Sequence, residues 1–403
     1  MLPTVDLEPG DLGVTDDPYA QLARLRSAGP VVRLPSGFVA VVGHGAVAEV
    51  LRHPSASSGP IADRYTAALP PGAARDELSH RINFLDPPDH PRVRGIVSRA
   101  FTPRRVAEVR PFMVRTADAL LDDLAGADGP VDLQAAYAHQ LPSLVISELL
   151  GVPPEDRDVL TDLADAVTPL LGVQVGAEDR ARALEAAEAM HQRLGALLDE
   201  RVAAPADDLL SALLAAEAEG ERLDRVELLS LAATLYSAGH RTTRDLTTNG
   251  LSVLLDRPDL RAALADGDLT LEAVVLEMLR FETPTLFVAR IPSEPMEVAG
   301  EQVLPTEPLL VFLAAANRDP AVYDRPDEFD PHRWSAEPAP PPPLSFAFGA
   351  HHCLGAALAR AEAEVMVGHL LARFPDVALA DEPRVWRQRG PFRSLDGLAV
   401  DLG

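Results

Sequence analysis

The 403-residue chain contains one cysteine and no lysine. A single thiol allows no intramolecular disulfide, which fits a reducing cytoplasm better than a secreted setting. All 36 basic side chains are arginine, and 61 Asp and Glu outweigh them to a formal net charge of −25. That balance speaks against nucleic acid or an anionic membrane as the main partner. Residues 1–10 show neither a basic n-region nor an apolar run, so no signal peptide and no membrane anchor are expected. No internal repeat and no long flexible linker divides the chain. What is present, 47% hydrophobic and 24% charged residues, is ordinary for a well-packed globular protein.

Periodicity predicts a mainly α fold with a minor β portion at both ends. A short helix is expected over Tyr19–Ala28, with strands at Val31–Leu34 and Phe38–Val42. Residues 60–85, rich in Pro, Gly and Ser, read as a long loop. Helical patterns dominate from Arg92 to Leu264, broken at Gly126–Pro130, Gly151–Pro154, Gly172–Gly176 and Ala203–Asp207. A further helix is expected over Leu271–Phe281. Strand-like pieces follow at Leu286–Ile291, Glu297–Val298 and Leu309–Leu313. Pro338–Pro343 reads as an extended connector. A helix is then expected from Cys353 to about Phe374, followed by a strand-rich tail.

The lone cysteine lies in Phe346-Ala-Phe-Gly-Ala-His-His-Cys-Leu-Gly355. A helix opening at Cys353 would bring backbone N–H groups and positive dipole to the sulfur, favouring a thiolate that binds metal. Gly349 and Gly355 permit close backbone approach. The alternative is a buried, inert cysteine. A closed zinc site lacks partners, since only His351 and His352 are near in sequence.

Phe346-x-x-Gly349-x-His351-x-Cys353-x-Gly355, followed by Ala356-Ala-Leu-Ala-Arg360, resembles the heme-binding loop of the cytochrome P450 family. Where the family usually has glycine, this chain has Ala347, so a tighter or shifted turn is expected before Gly349. The resemblance implies one cytochrome P450 domain over 1–403, with a long distal helix over the heme, the Cys-bearing loop beneath it and no fused reductase or ferredoxin module. It makes Cys353 the iron ligand of heme b (iron protoporphyrin IX), with His351 at a propionate.

Other segments resemble the family in the same chain order. Glu277-Met-Leu-Arg280 places an acid and an arginine on one helix face in an apolar context, where a charge must be paired. The resemblance makes it a structural ion pair. Arg290, after an apolar run, reads by itself as a solvent-facing strand residue, and His90-Pro-Arg-Val-Arg94 as an exposed basic turn. The resemblance instead makes Arg290, His90 and Arg94 propionate contacts, a good use of the guanidinium fork. Phe101-Thr-Pro-Arg-Arg105, Ala316-Asn-Arg-Asp-Pro320 and Phe329-Asp-Pro-His-Arg333 also look like the family.

Asp224-Arg-Val-Glu227 fits a capping box opening a helix that runs to about Leu255. Its middle, Ser237-Ala-Gly-His-Arg-Thr-Thr-Arg-Asp245, contains a glycine that costs about 1 kcal/mol against alanine. Thr242 can bond the Ala238 carbonyl and widen the turn into a pocket for O2. A polar stripe facing solvent or a neighbouring helix is the alternative. The family pattern here is Ala-Gly-x-(Asp/Glu)-Thr-Thr, and Arg241 stands where the acid belongs. In the family the acid and the alcohol deliver the protons needed for O–O cleavage, which a permanently protonated arginine cannot do. Thr242 and water can suffice for ordinary monooxygenation. Arg241 can instead hold a substrate carboxylate or Asp245, or the reaction can be atypical, such as oxidative coupling or peroxide-driven oxidation.

The resemblance implies a cytoplasmic monooxygenase that uses O2 and takes electrons from a separate ferredoxin and ferredoxin reductase. Arg92, Arg94, Arg99, Arg104, Arg105 and Arg110, against the single Glu108, form a local basic patch where an acidic ferredoxin would dock; a solvated charged face is the alternative. Substrate contacts are expected from residues 60–85, Val167–Val175, Leu235 to Ala238, Thr285 to Val288 with Leu286 and Phe287, and Phe392 to Leu395. The mostly apolar lining points to an apolar small molecule, and soluble relatives of this kind tailor secondary metabolites. A heme-bound gas sensor or carrier without turnover is the reading from another class.

Overall fold

The computed structural model describes residues 2–8, 17–171, 176–216 and 222–403. It is mainly helical with short strands, as the sequence implies. Its contacts divide the chain into two units. The first comprises Met1–Ser57, Ala117–Ala138 and Thr242–Gly403, the second Ser58–Thr116 and His139–Arg241.

In the first unit, Val31–Arg33 pairs antiparallel with Val39–Val41, which pairs parallel with Leu309–Val311. Val288–Pro292 and Ala56–Ser57 complete the sheet. Val39 and Val41 face one apolar cluster with Val47 and Val50, while Ala40 and Val42 face another with Leu22 and Phe312. Burial on both faces is why these strands are continuously apolar rather than alternating. Helices Tyr19–Ala28 and Leu271–Phe281 have the expected bounds. The strand expected at Leu309–Leu313 stops at Val311 because Leu313–Ala316 turns helical. Met296–Val298 forms a hairpin with Glu301–Val303, a strand the periodicity did not reveal. Pro338–Pro343 forms neither helix nor strand.

In the second unit, the loop expected over residues 60–85 is mostly helical. Gly59–Thr66 and Ala73–His80 are α-helices, and Ile82–Phe84 is a 3-10 turn. Pro60 sits in a first helical turn, where its missing N–H costs nothing. The Asp86 carboxylate accepts from the Ser58 and Gly59 amides at 2.9 and 2.8 Å, satisfying that helix start. Ala73, Ala74 and Leu78 then pack on Val167, Leu170, Ala183 and Ala187. The prolines and glycines are helix starts here, not loop markers. Gly151, at φ +72°, ends helix Gln140–Leu150 in the left-handed conformation glycine favours. Of the break expected at Gly172–Gly176, residues 172–175 lie outside the described residues, as do the last residues of the segment Val167–Val175; helix Ala177–Ala203 begins after Gly176.

Helix Arg225–Leu254 is α-helical throughout. Its capping box is formed: the Asp224 amide donates to Glu227 Oε2 and the Glu227 amide to Asp224 Oδ1, both at 2.9 Å.

Candidate active site

Cys353 does not open the following helix. Helix Ala356–Arg373 takes Gly355 as its N-cap, so the thiol stands in the loop just before it. The side chain is exposed, which removes the buried, inert reading. The loop is held by its own backbone: the Cys353 amide donates to the Phe346 carbonyl at 2.9 Å and the His352 amide to the Gly349 carbonyl at 3.1 Å. Gly349 has φ +74°, and a Cβ there would lie 2.4 Å from the Leu51 carbonyl oxygen. Only glycine fits at that approach to the end of helix His44–Arg52. Gly355 is less constrained, since a Cβ there would be 4.0 Å from Cys353 Sγ.

Ala347 closes the 3-10 turn Leu344–Phe346, its amide donating to the Leu344 carbonyl at 2.8 Å. It adopts a positive φ of 56° with ψ −162°, in the region glycine favours. Such a residue costs about 1–3 kcal/mol and persists only where its surroundings over-determine it. The surroundings are visible. The Leu344 amide donates to Asn317 Oδ1 at 2.7 Å, and Ser345 Oγ donates to the Leu279 carbonyl at 2.6 Å. Arg280 in turn donates to the Asn317 carbonyl at 3.1 Å.

This ties the loop to the expected ion pair. Glu277 and Arg280 are both fully buried and bidentate, with Nε–Oε2 2.9 Å and Nη2–Oε1 2.7 Å. Arg280 also donates to the carbonyls of Pro326 and Glu328 at 2.7 and 2.8 Å. Arg333 Nε adds a third charge at 3.1 Å from Glu277 Oε1. Sequence reasoning gave Arg333 no role, because nothing local links it to a glutamate 56 residues away. Arg290 lies on strand Val288–Pro292 and is buried rather than solvent-facing. Phe346 and His351 are half-buried.

Among the expected substrate contacts, Thr285 and Phe392 are brought together by an isolated antiparallel bridge. Leu286 and Phe287 belong to the apolar core with Leu22 and Phe312, while Thr285, Val288 and Phe392 are half-buried.

In the second unit, His90 is buried on helix Asp89–Ala100 and Arg94 is half-buried one turn later; the exposed basic turn holds for neither. The basic patch is partly neutralised by two acids close in sequence, Asp89 and Glu108, and two distant ones, Glu227 and Asp207. Arg92 pairs with Glu227 and Asp89, Arg105 with Asp207, and Arg104 with Glu108. Along the long helix, Leu235, Ala238 and Thr242 recur on one accessible face, whereas His240 and Arg241 are buried. Gly239 has a packing reason: a Cβ there would lie 3.2 Å from Ile146 Cγ1.

Glu362, on the helix after the thiol loop, escaped sequence reasoning altogether. It is 1% exposed. Burial raises its carboxyl well above the ordinary value, opposed weakly by the Thr243 side chain, and neither carboxyl oxygen has a hydrogen-bond partner among the described residues. Only the fold could reveal it.

An accessible thiol on a glycine-shaped loop, anchored to a buried glutamate–arginine cage in a mainly helical fold, is the architecture of a heme-thiolate protein. Among the described residues Cys353 joins no cluster of three His, Cys, Asp or Glu ligands. A single soft ligand suits an iron that a porphyrin would otherwise hold. Residues 269–384 match the family model for cytochrome P450. The chain is 39% identical to cytochrome P450 monooxygenase PikC of Streptomyces venezuelae, over 99% of its own length and 94% of that relative. It is 40% identical to vitamin D(3) 25-hydroxylase of Pseudonocardia autotrophica, over 79% and 77% of the two chains. The solved structure of the LnmA cytochrome P450 hydroxylase from the leinamycin biosynthetic pathway of Streptomyces atroolivaceus superposes with TM-score 0.83 and 31% identity, covering 99% and 100%. The chain belongs to the cytochrome P450 family. It is a heme-iron monooxygenase of that family, which works with redox partner proteins, O2 and small substrates. Among the described residues no helix is long and apolar enough to cross a membrane.

Proposed function

We propose that this enzyme hydroxylates or epoxidises a mostly apolar small molecule, an intermediate of natural-product biosynthesis. It acts in the cytoplasm as one catalytic domain, with heme b and electrons from a separate ferredoxin and ferredoxin reductase. The observation that carries the reading is the accessible Cys353, the one soft ligand on a loop shaped for close approach. Bound there, the heme supplies the activation of O2 and the oxidising power. Cys353 holds the iron, and the Phe346–Gly355 loop orients the sulfur. Arg290 and His351 would hold propionates by charge-assisted hydrogen bonds, the role the family resemblance also assigns to His90 and Arg94.

Thr242 lies on the accessible face of the long helix. Its hydroxyl both donates and accepts, so it can take a proton from water and pass one on. Arg241 is buried and keeps its proton, so it acts as a fixed charge rather than a relay. Substrate contact is assigned to Leu235 and Ala238 on the long helix and, within the first unit, to Thr285, Val288 and Phe392, with Leu286 and Phe287 in the apolar core. Similarity to a vitamin D(3) 25-hydroxylase and to a hydroxylase from the leinamycin biosynthetic pathway supports oxygen insertion into compounds of this class.

The reduced carbon monoxide complex tests the ligand. The red-shifted Soret band of thiolate-ligated heme is expected, and Cys353→Ser must abolish it; a variant that keeps the band sinks the assignment. Arg241→Glu tests the distal side, with product identity and turnover compared against the parent under O2 and under peroxide. A switch in product class favours atypical chemistry. Unchanged product and turnover show that Arg241 has no chemical role.

A further inference from the structure

We propose that His139, Asp165 and His240, none of them in the thiol loop, form a second metal site for a divalent cation of the zinc class. One ligand atom from each of the three lies within 4.8 Å of the others. All three belong to the second unit. His139 precedes helix Gln140–Leu150, Asp165 sits in the last turn of Pro154–Val167, and His240 comes from the middle of the long helix.

His240 carries the argument. Its Nδ1 is 3.0 Å from the Tyr236 carbonyl oxygen. A carbonyl only accepts, so Nδ1 bears the hydrogen. The Nε2 of the neutral ring is then an acceptor, and it lies 3.2 Å from Asp165 Oδ1. Two acceptors at that distance repel unless positive charge stands at Nε2. A proton there is one solution; a metal ion bound by both atoms is the other. The 3.2 Å spacing accommodates the second as well as the first, because metal bonds of about 2.0–2.1 Å in a tetrahedron separate neighbouring ligands by about 3.3 Å. The His139 ring stands edge-on to that of His240, centroids 5.8 Å apart and planes at 82°, which lets a third ligand converge.

The surroundings are those of a built site. A ligating histidine that donates its other N–H to a backbone carbonyl has its ring and tautomer set. Tyr236 is itself held through its hydroxyl, 2.9 Å from Ser147 Oγ and 3.0 Å from Thr161 Oγ1. The His240 side chain is 1% exposed while that of Asp165 is 38% exposed, so the ligand set has a path to solvent for ion entry and for a water in the fourth position. Two imidazoles and one carboxylate suit zinc and its neighbours rather than magnesium or calcium. An ion there would pin the end of helix Pro154–Val167 to the long helix, just before the segment expected to contact substrate.

The test is zinc titration of the heme-loaded full chain after chelator treatment, followed by calorimetry, with anomalous diffraction locating the ion. One zinc per chain is expected, with micromolar affinity and no competition from equimolar magnesium. His139→Gln and Asp165→Asn, both at half-buried positions, should each weaken binding by roughly tenfold or more. No stoichiometric binding, or an anomalous peak elsewhere, overturns the proposal. So does unchanged affinity in both variants.

Discussion

Glu277 and Glu362 are glutamates on helices of the same unit, 0% and 1% exposed, in opposite company. Glu277 is met by two guanidinium groups, the Asp330 amide at 2.8 Å and the Trp334 indole N–H at 3.1 Å. Glu362 has the Thr243 hydroxyl as its opposing group, and burial pushes its carboxyl up. Burial alone therefore does not decide what a buried acid does. The donors placed around it do. A caged carboxylate organises structure, here the ends of the thiol loop. A carboxyl with little help takes a proton and becomes a neutral polar group inside the core.

The largest effect is expected from Glu277→Ala, which leaves Arg280 and Arg333 buried without their counter-charge. Removing one partner of such a cluster costs about 3–5 kcal/mol. Denaturant unfolding should show a loss of that order, together with loss of heme retention; a change below about 1 kcal/mol would put the cage on a par with a surface pair.

Glu362→Gln should do the reverse. Because the folded carboxyl is raised above its ordinary 4.5, the folded state binds the proton more tightly than the unfolded chain. The stability this gives the parent is fully present below pH 4.5 and is lost as pH rises toward the folded value. The amide variant does not titrate. Its advantage should therefore grow between pH 5 and pH 8, read as a widening gap in unfolding midpoints. A gap that narrows with pH would mean the carboxyl is ionised in the fold.

Ala347→Gly asks how firmly the cage holds the loop. Relieving the positive φ should stabilise by about 1 kcal/mol, a small rise in melting temperature. No rise would mean that the packing of the Ala347 methyl on the core offsets the strain.

The parts legible in sequence are those whose partners are close in sequence. The Asp224–Glu227 capping box and the Glu277–Arg280 pair depend on spacings of a few residues and are formed as the spacing implies, whereas the helix after the thiol loop opens at Ala356 rather than at Cys353. Residues 60–85 misled because proline and glycine mark helix starts as well as loops, and Asp86, which settles the matter, lies beyond the segment. The distant partners of the basic patch were hidden for the same reason: Glu227 and Asp207 are far along the chain. Gly239 had a visible cost, but its partner Ile146 was not visible.

Sequence by itself determined the thiol, the loop around it and the helices with clear period, because local spacing sets which side chains share a face. Only tertiary structure decided which charges are partnered, which way Arg290 and His90 are buried, that Arg333 completes a cage and that Glu362 does not have one. The reason is physical: the free energy of a buried polar group is set by the groups a few ångströms away, and those come from distant parts of the chain.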